Sequence, residues 1–444
     1  MKSLFKFSFI FSFSFIAHAQ VRTDSVHLPF VIATEKRLSD EDLQNKKEGI
    51  YLTGIPDISS DPINGIGFGA EGQLFFNGKK SDPFFAFTPF RSQINLTLFY
   101  TTRAQREIRA EWEIPYVFNT KWRLHGELGY EVDPNLLYFG NTENSLKALS
   151  YYQNGDSAKP LINNASYNDY EKSLTGNKSH YNTYQKDEKV FNLIMERSFL
   201  EGKWRIIIGY EFTSMNMSTP LNNNSLLHKE ALEGKIKGYG SNYVPLYQAG
   251  VIYDTRDLET DPSNGSFAEL MNESSPHALG SQYNFNKTFF HYNIYSRIFS
   301  HSIRKLIFAG SAGIGYTLGD APFYEYMDEE SAEKTIEALG GSETLRGYKL
   351  GRFVSRAIEY TDLELRCRFL QCDFLKQHLA FSAVPFFDIG GVWDSLDRIG
   401  KTQNLRYSEG LGMRIAWNEN TILRFDYAVS KEDKQFFFTL SHPF

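Results

Sequence analysis

The sequence predicts an all-β protein, a 16-stranded antiparallel transmembrane β-barrel, and three observations carry that expectation. The chain holds 38 Phe and 26 Tyr among its 444 residues, too much aromatic surface for an ordinary water-facing exterior, yet its mean hydropathy is negative. Past the N-terminus, no apolar run is long enough to span a bilayer as a helix. Segments of alternating apolar and polar residues instead follow one another to the last residue. A barrel whose strands turn one face to lipid and the other to a wet lumen reconciles a hydrophilic mean with abundant aromatics.

Residues 1–19 read as a secretory signal peptide: Lys2 and Lys6 give the positive start, 7–16 the apolar run, and Ala17, His18 and Ala19 the small-residue cleavage site. Residues 20–48 then form a short, polar, periplasmic N-terminal arm. Ser39 followed by Asp40, Glu41 and Asp42 is a capping start for a brief helix to about Lys47. The arm either plugs the periplasmic mouth or trails as a flexible leader, and its polarity favours the leader.

The barrel itself occupies 49–444. Strands are expected near 50–56, 64–76, 89–101, 104–117, 121–132, 187–199, 203–216, 244–254, 264–274, 284–298, 303–318, 354–369, 376–393, 404–417, 421–430 and 434–444. The first is short, with Pro56 at its end, and Gly65, Gly67, Gly69 and Gly72 either weaken the second or mark curvature and aromatic packing. Period two is clearest near the C-terminus. Leu423, Phe425, Tyr427 and Val429 share an apolar face, with Arg424 and Asp426 on the other. Leu379, Phe381, Ala383, Pro385, Phe387 and Ile389 likewise oppose His378, Ser382, Asp388 and Gly390, which turns Asp388 into the lumen. Connection lengths agree. The longest gaps, 133–186, 218–243 and 318–353, follow odd-numbered strands, whereas the tight turns at 118–120, 201–202 and 418–420 follow even-numbered ones, as outer-membrane barrels require.

A net charge of −6 argues against nucleic acid as a partner. The two cysteines, Cys367 and Cys372, stand either as a local disulfide, which an exported chain permits, or as free thiols; their spacing lacks the further ligands of a zinc site. The ten histidines are scattered without a Ser or Cys partner motif, so no enzyme and no cofactor is expected. Asp254, Arg256 and Asp257 stand either as a catalytic or metal cluster or as part of a turn that Pro262 and Gly265 punctuate. In GGSETLRGY at 340–348, Arg346, Gly347 and Tyr348 make a loop tip whose backbone turns at the glycine and whose guanidinium reaches for a carboxylate. The last strand, counted back by twos, gives Phe444, His442, Leu440, Phe438 and Phe436.

Four stretches stand in order: DTRDLETDPSNG at 254–265, GGSETLRGY at 340–348, FFDIGGVWD at 386–394 and the terminal FFFTLSHPF. Together they resemble the membrane barrel of the BamA/TamA, or bacterial surface antigen, family. The resemblance covers roughly 47–444 and implies several things, among them that Asp254, Arg256 and Asp257 form a structural turn at the periplasmic rim. The sixth outside loop folds into the lumen and sets Arg346, with Gly347 and Tyr348, against Asp388, flanked by Phe386 and Gly390, where Gly390 leaves room for the tip. Lumenal Glu364 and Arg366 complete a charged network. The terminal strand, through Phe436, Phe438, Leu440 and Phe444, is the targeting signal read by the outer-membrane assembly machinery. Relatives usually carry periplasmic polypeptide-transport-associated (POTRA) domains, and the 20–48 segment is too short for one. The implied role is to assist insertion or translocation of outer-membrane proteins, alone or as an accessory subunit, in the outer membrane of a Gram-negative bacterium. Expected partners are outer-membrane lipid and assembly machinery or client proteins. A surface scaffold or a gated passive channel is the alternative.

Overall fold

The computed structural model describes residues 27–61, 64–152, 159–163, 169, 181–219, 225–298, 305–375, 377–418 and 420–444. The expected signal peptide lies outside the described residues.

One antiparallel sheet of sixteen strands runs in strict sequence order. Its strands are β1 (Gly49–Asp61), β2 (Gly65–Gly78), β3 (Ser92–Thr101), β4 (Arg106–Ile114), β5 (Trp122–Leu137), β6 (Thr183–Phe199), β7 (Trp204–Ser218) and β8 (Gly240–Asp254). Then come β9 (Gly265–Ser275), β10 (Asn284–Ile298), β11 (Leu306–Asp320), β12 (Ala357–Phe374), β13 (Gln377–Trp393), β14 (Arg406–Trp417), β15 (Thr421–Ser430) and β16 (Lys434–Leu440). No described helix is long and apolar enough to cross a membrane; the crossing is made by strands.

The faces follow the two-residue period. On β12, Tyr360, Asp362, Glu364, Arg366 and Arg368 are buried inside while Leu363 and Leu365 face out; on β3, Leu96, Leu98 and Tyr100 form an exposed apolar row. Such a row is stable only against lipid. Phe118, Trp122, Phe199 and Trp204 are exposed beside the turns that follow even-numbered strands, where an interfacial aromatic girdle belongs.

The sheet curls until its ends meet. The hydroxyls of Thr53 on β1 and Thr421 on β15 lie 2.9 Å apart. Asn420 donates to Asn77 Oδ1 at 3.2 Å and to the Pro89 carbonyl at 3.1 Å, and Thr421 donates to Gln73 at 3.3 Å. Closure is thus made by side chains near the periplasmic end. Among the described residues no backbone ladder joins β1 to β16. Pro56 sits in the middle of the 13-residue β1, paired with Ala70, not at its end as expected. An edge strand tolerates the missing N–H that a central one would not. The glycines of β2 do not unpair it: its register with β1 is continuous from Ile50 to Asp61. A Cβ at Gly69 would lie 2.8 Å from the Phe99 ring, so this position marks close packing.

The N-terminal arm packs on the periplasmic rim rather than trailing. Ser39 caps α1 (Asp40–Asn45) with the expected box. Phe30 packs on Phe84 and Tyr116, Ala33 N–H donates to the Glu201 carbonyl at 2.8 Å, and Lys36 reaches Asp254 at 3.2 Å. Lys46, buried, donates to the carbonyls of Phe85 and Thr88, both at 2.6 Å. Every partner sits in a distant periplasmic turn, which is why local polarity misled the sequence reading.

Burial pushes the Lys46 ammonium down from 10.5 to about 7, against the pull of Asp82 and with a further push from Arg91. Between those values the docked arm binds fewer protons here than the undocked arm, so docking tightens as pH rises through that window and is weakest below about pH 7. Limited proteolysis is expected to release the arm more slowly at about pH 9 than at about pH 6, and Lys46→Met is expected to flatten that difference.

Candidate functional site: the lumenal latch and the open seam

The segment 321–356, the sixth outside connection, turns back into the lumen and is largely buried. Its tip is held by local geometry first. Gly341 N–H donates to the Tyr348 carbonyl at 3.0 Å and Tyr348 N–H to the Leu345 carbonyl at 2.9 Å. The left-handed residue is Leu345, at φ +40°, and not Gly347. Gly347 is needed for space. A Cβ there would lie 2.7 Å from Ser408 Cβ on β14 and 2.8 Å from the Val429 carbonyl carbon on β15. Gly347→Ala is therefore expected to lift the tip and destabilise the barrel by about 1–3 kcal/mol, an overpacking effect, measurable as a lower melting midpoint of the folded band on gels.

Arg346 is fully buried. Its backbone N–H and Nε donate to Asp388 Oδ2 at 3.0 and 3.1 Å, and Nη2 donates to Oδ1 at 2.7 Å. Nη1 reaches Glu364 at 2.7 Å and Asp426 at 3.3 Å. The guanidinium carbon lies 3.5 Å from the centroid of the Phe386 ring. Arg366 Nε donates to Glu364 Oε2 at 2.8 Å, and Arg414 donates to Glu364 at 2.9 Å and to Asp426 at 2.5 Å. Three guanidinium groups thus meet three carboxylates, Asp388, Glu364 and Asp426, each charge held against an opposite one, the condition under which buried ions persist. Gly410 lets the ring of Phe386 in, since a Cβ there would lie 2.2 Å from its Cζ. Gly390 makes room for the Leu339 methyls, 3.0 and 3.1 Å from its notional Cβ, another part of the same loop. Tyr348 packs edge-on to Phe353 at 5.0 Å.

Ser408, which donates to Asp388 at 3.0 Å, and Arg414 were missed. Their signal was in the sequence: both share the β14 parity opposite Leu411, Met413 and Ile415. Arg352 was missed too; it fixes the returning arm of the loop through Glu432 at 2.6 and 3.0 Å and through the Lys147 carbonyl at 2.7 Å.

The motif at 254–265 does more than turn. Asp257 Oδ1 accepts from the backbone of Leu258, Ser263 and Asn264 at 2.8–3.1 Å, fixing the turn. Arg256 bridges Asp254, at 3.1 and 3.2 Å, to Glu333 of the lumenal loop at 2.9 Å. With Lys36 on the same Asp254, the arm, the rim and the loop are tied at one point.

The C-terminus departs from expectation. Phe436 and Phe438 face outward, and Phe438 stacks on Phe425 at 4.5 Å. β16 ends at Leu440, however, and Ser441, at φ +67°, turns the last residues inward. His442 Nε2 lies 3.2 Å from Asp261, Lys334 donates to the His442 and Pro443 carbonyls, and Arg366 donates to the Phe444 carbonyl at 2.9 Å. Phe444 therefore does not extend the lipid-facing row. A disulfide is excluded as well, because both cysteines are free. They lie five residues apart on β12, about 16 Å along an extended strand, far beyond disulfide reach.

Comparison with known proteins agrees with this geometry. Residues 92–444 match the family described as the Omp85 superfamily domain, and 28–91, the arm with the first hairpin, match a domain of unknown function, DUF5982. A 185-residue stretch is 25% identical to the outer membrane protein assembly factor BamA of Nitratidesulfovibrio vulgaris, covering 39% of this chain and 22% of that protein. Among solved structures, BamA from Haemophilus ducreyi lacking POTRA domains 1–3 superposes with a TM-score of 0.50 at 15% identity, over 89% of this chain and 70% of that one. CdiB from Escherichia coli gives 0.53 at 11% identity, over 88% and 62%. The chain belongs to the Omp85 superfamily of outer-membrane β-barrel proteins.

Proposed function

We propose that this barrel assists the insertion or translocation of other proteins at the outer membrane of a Gram-negative bacterium, alone or as an accessory subunit of a larger assembly. The observation that carries the reading is the seam: β1 offers thirteen residues, β16 only seven, and no backbone ladder joins them among the described residues. The unpaired edge of β1 is a template on which a client strand adds by β-augmentation. No catalytic step is part of this reading. A photo-cross-linker at Leu52, outward on β1, tests it. Unfolded barrel substrates are expected to be captured there, and not from Leu365, outward on β12; equal capture at both positions contradicts it.

A second reading, a gated channel, rests on a lumenal cavity of about 560 Å³. Carboxylates such as Glu71, Glu107, Glu127, Glu211, Glu273 and Glu330 outnumber the basic groups Arg109, Lys186, Lys287 and Lys334 along its wall. Planar-bilayer recordings decide it: steady, cation-selective conductance of the wild type supports the channel, and a silent bilayer removes it.

A further inference from the structure

At the outer face, the connection 394–405 and the segment 142–147 enclose a cavity of about 590 Å³, within the range of sites for whole small molecules and larger than a bare ion needs. Its charge is opposite to that of the lumen. Lys147, Arg398, Lys401 and Arg406 line it, against Asp394. Among the described residues only Arg398 of these is neutralised in place, by Asp394 at 3.1 Å. Arg406 spends its donors on the Gln403, Leu405 and Leu146 carbonyls at 2.9–3.2 Å, and Lys147 donates to Asn144 Oδ1 at 2.6 Å. Neither bond cancels a charge. The Lys401 ammonium makes no hydrogen bond or ion pair among the described residues, although Asp397 stands near enough to feel its charge.

Trp393, at the end of β13, forms part of the wall and is 2% exposed. Lys147, Lys401 and Arg406 face no carboxylate within salt-bridge distance among the described residues, so the cavity suits an anionic ligand.

We propose that this cavity binds a phosphate or carboxylate group carried on a saccharide-sized polar molecule, the charge meeting Lys401, Arg406 and Lys147. Phosphorylated sugar of this kind is available from a glycolipid headgroup of the surrounding leaflet or from a free sugar phosphate.

Calorimetry on the full chain in detergent tests it with glucose 6-phosphate, glucose, inorganic phosphate and lipopolysaccharide as probes. Glucose 6-phosphate is expected to bind in a salt-sensitive way and glucose not at all. The double variant Lys147→Glu, Lys401→Glu is expected to weaken binding at least tenfold. Lipopolysaccharide binding displaced by glucose 6-phosphate would place the natural source in the membrane; glucose 6-phosphate binding without lipopolysaccharide binding would place it in solution. The proposal is overturned if no phosphorylated probe binds at millimolar concentration or if the charge variant binds as the wild type does. Inorganic phosphate binding as tightly as glucose 6-phosphate would overturn the saccharide part.

Discussion

Arg346→Ala is expected to loosen the whole lumenal loop and to lower stability by about 3–5 kcal/mol, the usual effect of removing one partner from a buried charged cluster. The size follows from the arithmetic of the site. Arg346, Arg366 and Arg414 balance Asp388, Glu364 and Asp426. Without Arg346 three carboxylates face two guanidinium groups in a dry interior, four side-chain hydrogen bonds are lost, and the Phe386 ring loses the cation above it. Asp388→Asn is expected to do less, because the amide keeps the shape and can still accept from Ser408. The heat series of folded and unfolded bands on gels, with protease accessibility of 321–356, measures both. An unchanged melting midpoint together with an unchanged cleavage pattern would mean that this cluster does not hold the loop.

Deleting residues 442–444 is expected to produce two separable losses. The membrane should hold severalfold less folded barrel, as expected of a terminal strand that serves as a targeting signal. The molecules that do fold should melt earlier, because Arg366 and Lys334 lose the carbonyls they bind; charged hydrogen bonds of this kind are worth roughly 1.5–3 kcal/mol each. Phe444→Ala separates the effects. It keeps the terminal carbonyl that Arg366 uses and deletes the ring 5.2 Å from its guanidinium. A mutant scarce in the membrane yet melting normally assigns the ring to recognition and the backbone to docking. Normal abundance would remove the targeting role of Phe444.

The parts of this molecule legible in the sequence are those that depend on strand parity. Asp388 was placed inside because alternation fixes a side chain's face without any knowledge of the third dimension, and its pairing with Arg346, with Glu364 and Arg366 beside it, followed from the family resemblance. Parity also contained Ser408 and Arg414, but nothing local says that β14 lies beside the loop tip. The remaining misses share a cause: a local pattern continues where the backbone does not. Alternation runs through Phe444, yet Ser441 adopts φ +67° and turns the tail inward. β12 runs on to Phe374, past a register shift between Arg368 and Leu370, which carries Cys372 along an extended strand and away from Cys367. The arm looked like a leader because its partners, from Phe84 to Asp254, are remote in sequence. The family match at 28–91 treats the arm, β1, β2 and the turn at 79–91 as one unit, and the structure gives that unit a physical sense. The arm residues Phe30 and Lys46 pack on the turn that follows the strand pair forming one side of the seam.

That seam can be tested directly with cysteine pairs, one member in β1 (Gly49–Asp61) and one in β16 (Lys434–Leu440), introduced after replacing Cys367 and Cys372. The pair that oxidises is then assayed in proteoliposomes for folding of an added outer-membrane barrel substrate. The barrel is expected to stop assisting the substrate when oxidised and to regain activity on reduction, with the same melting behaviour of its own fold. Full assistance by the oxidised, cross-linked protein would contradict an edge of β1 that receives client strands.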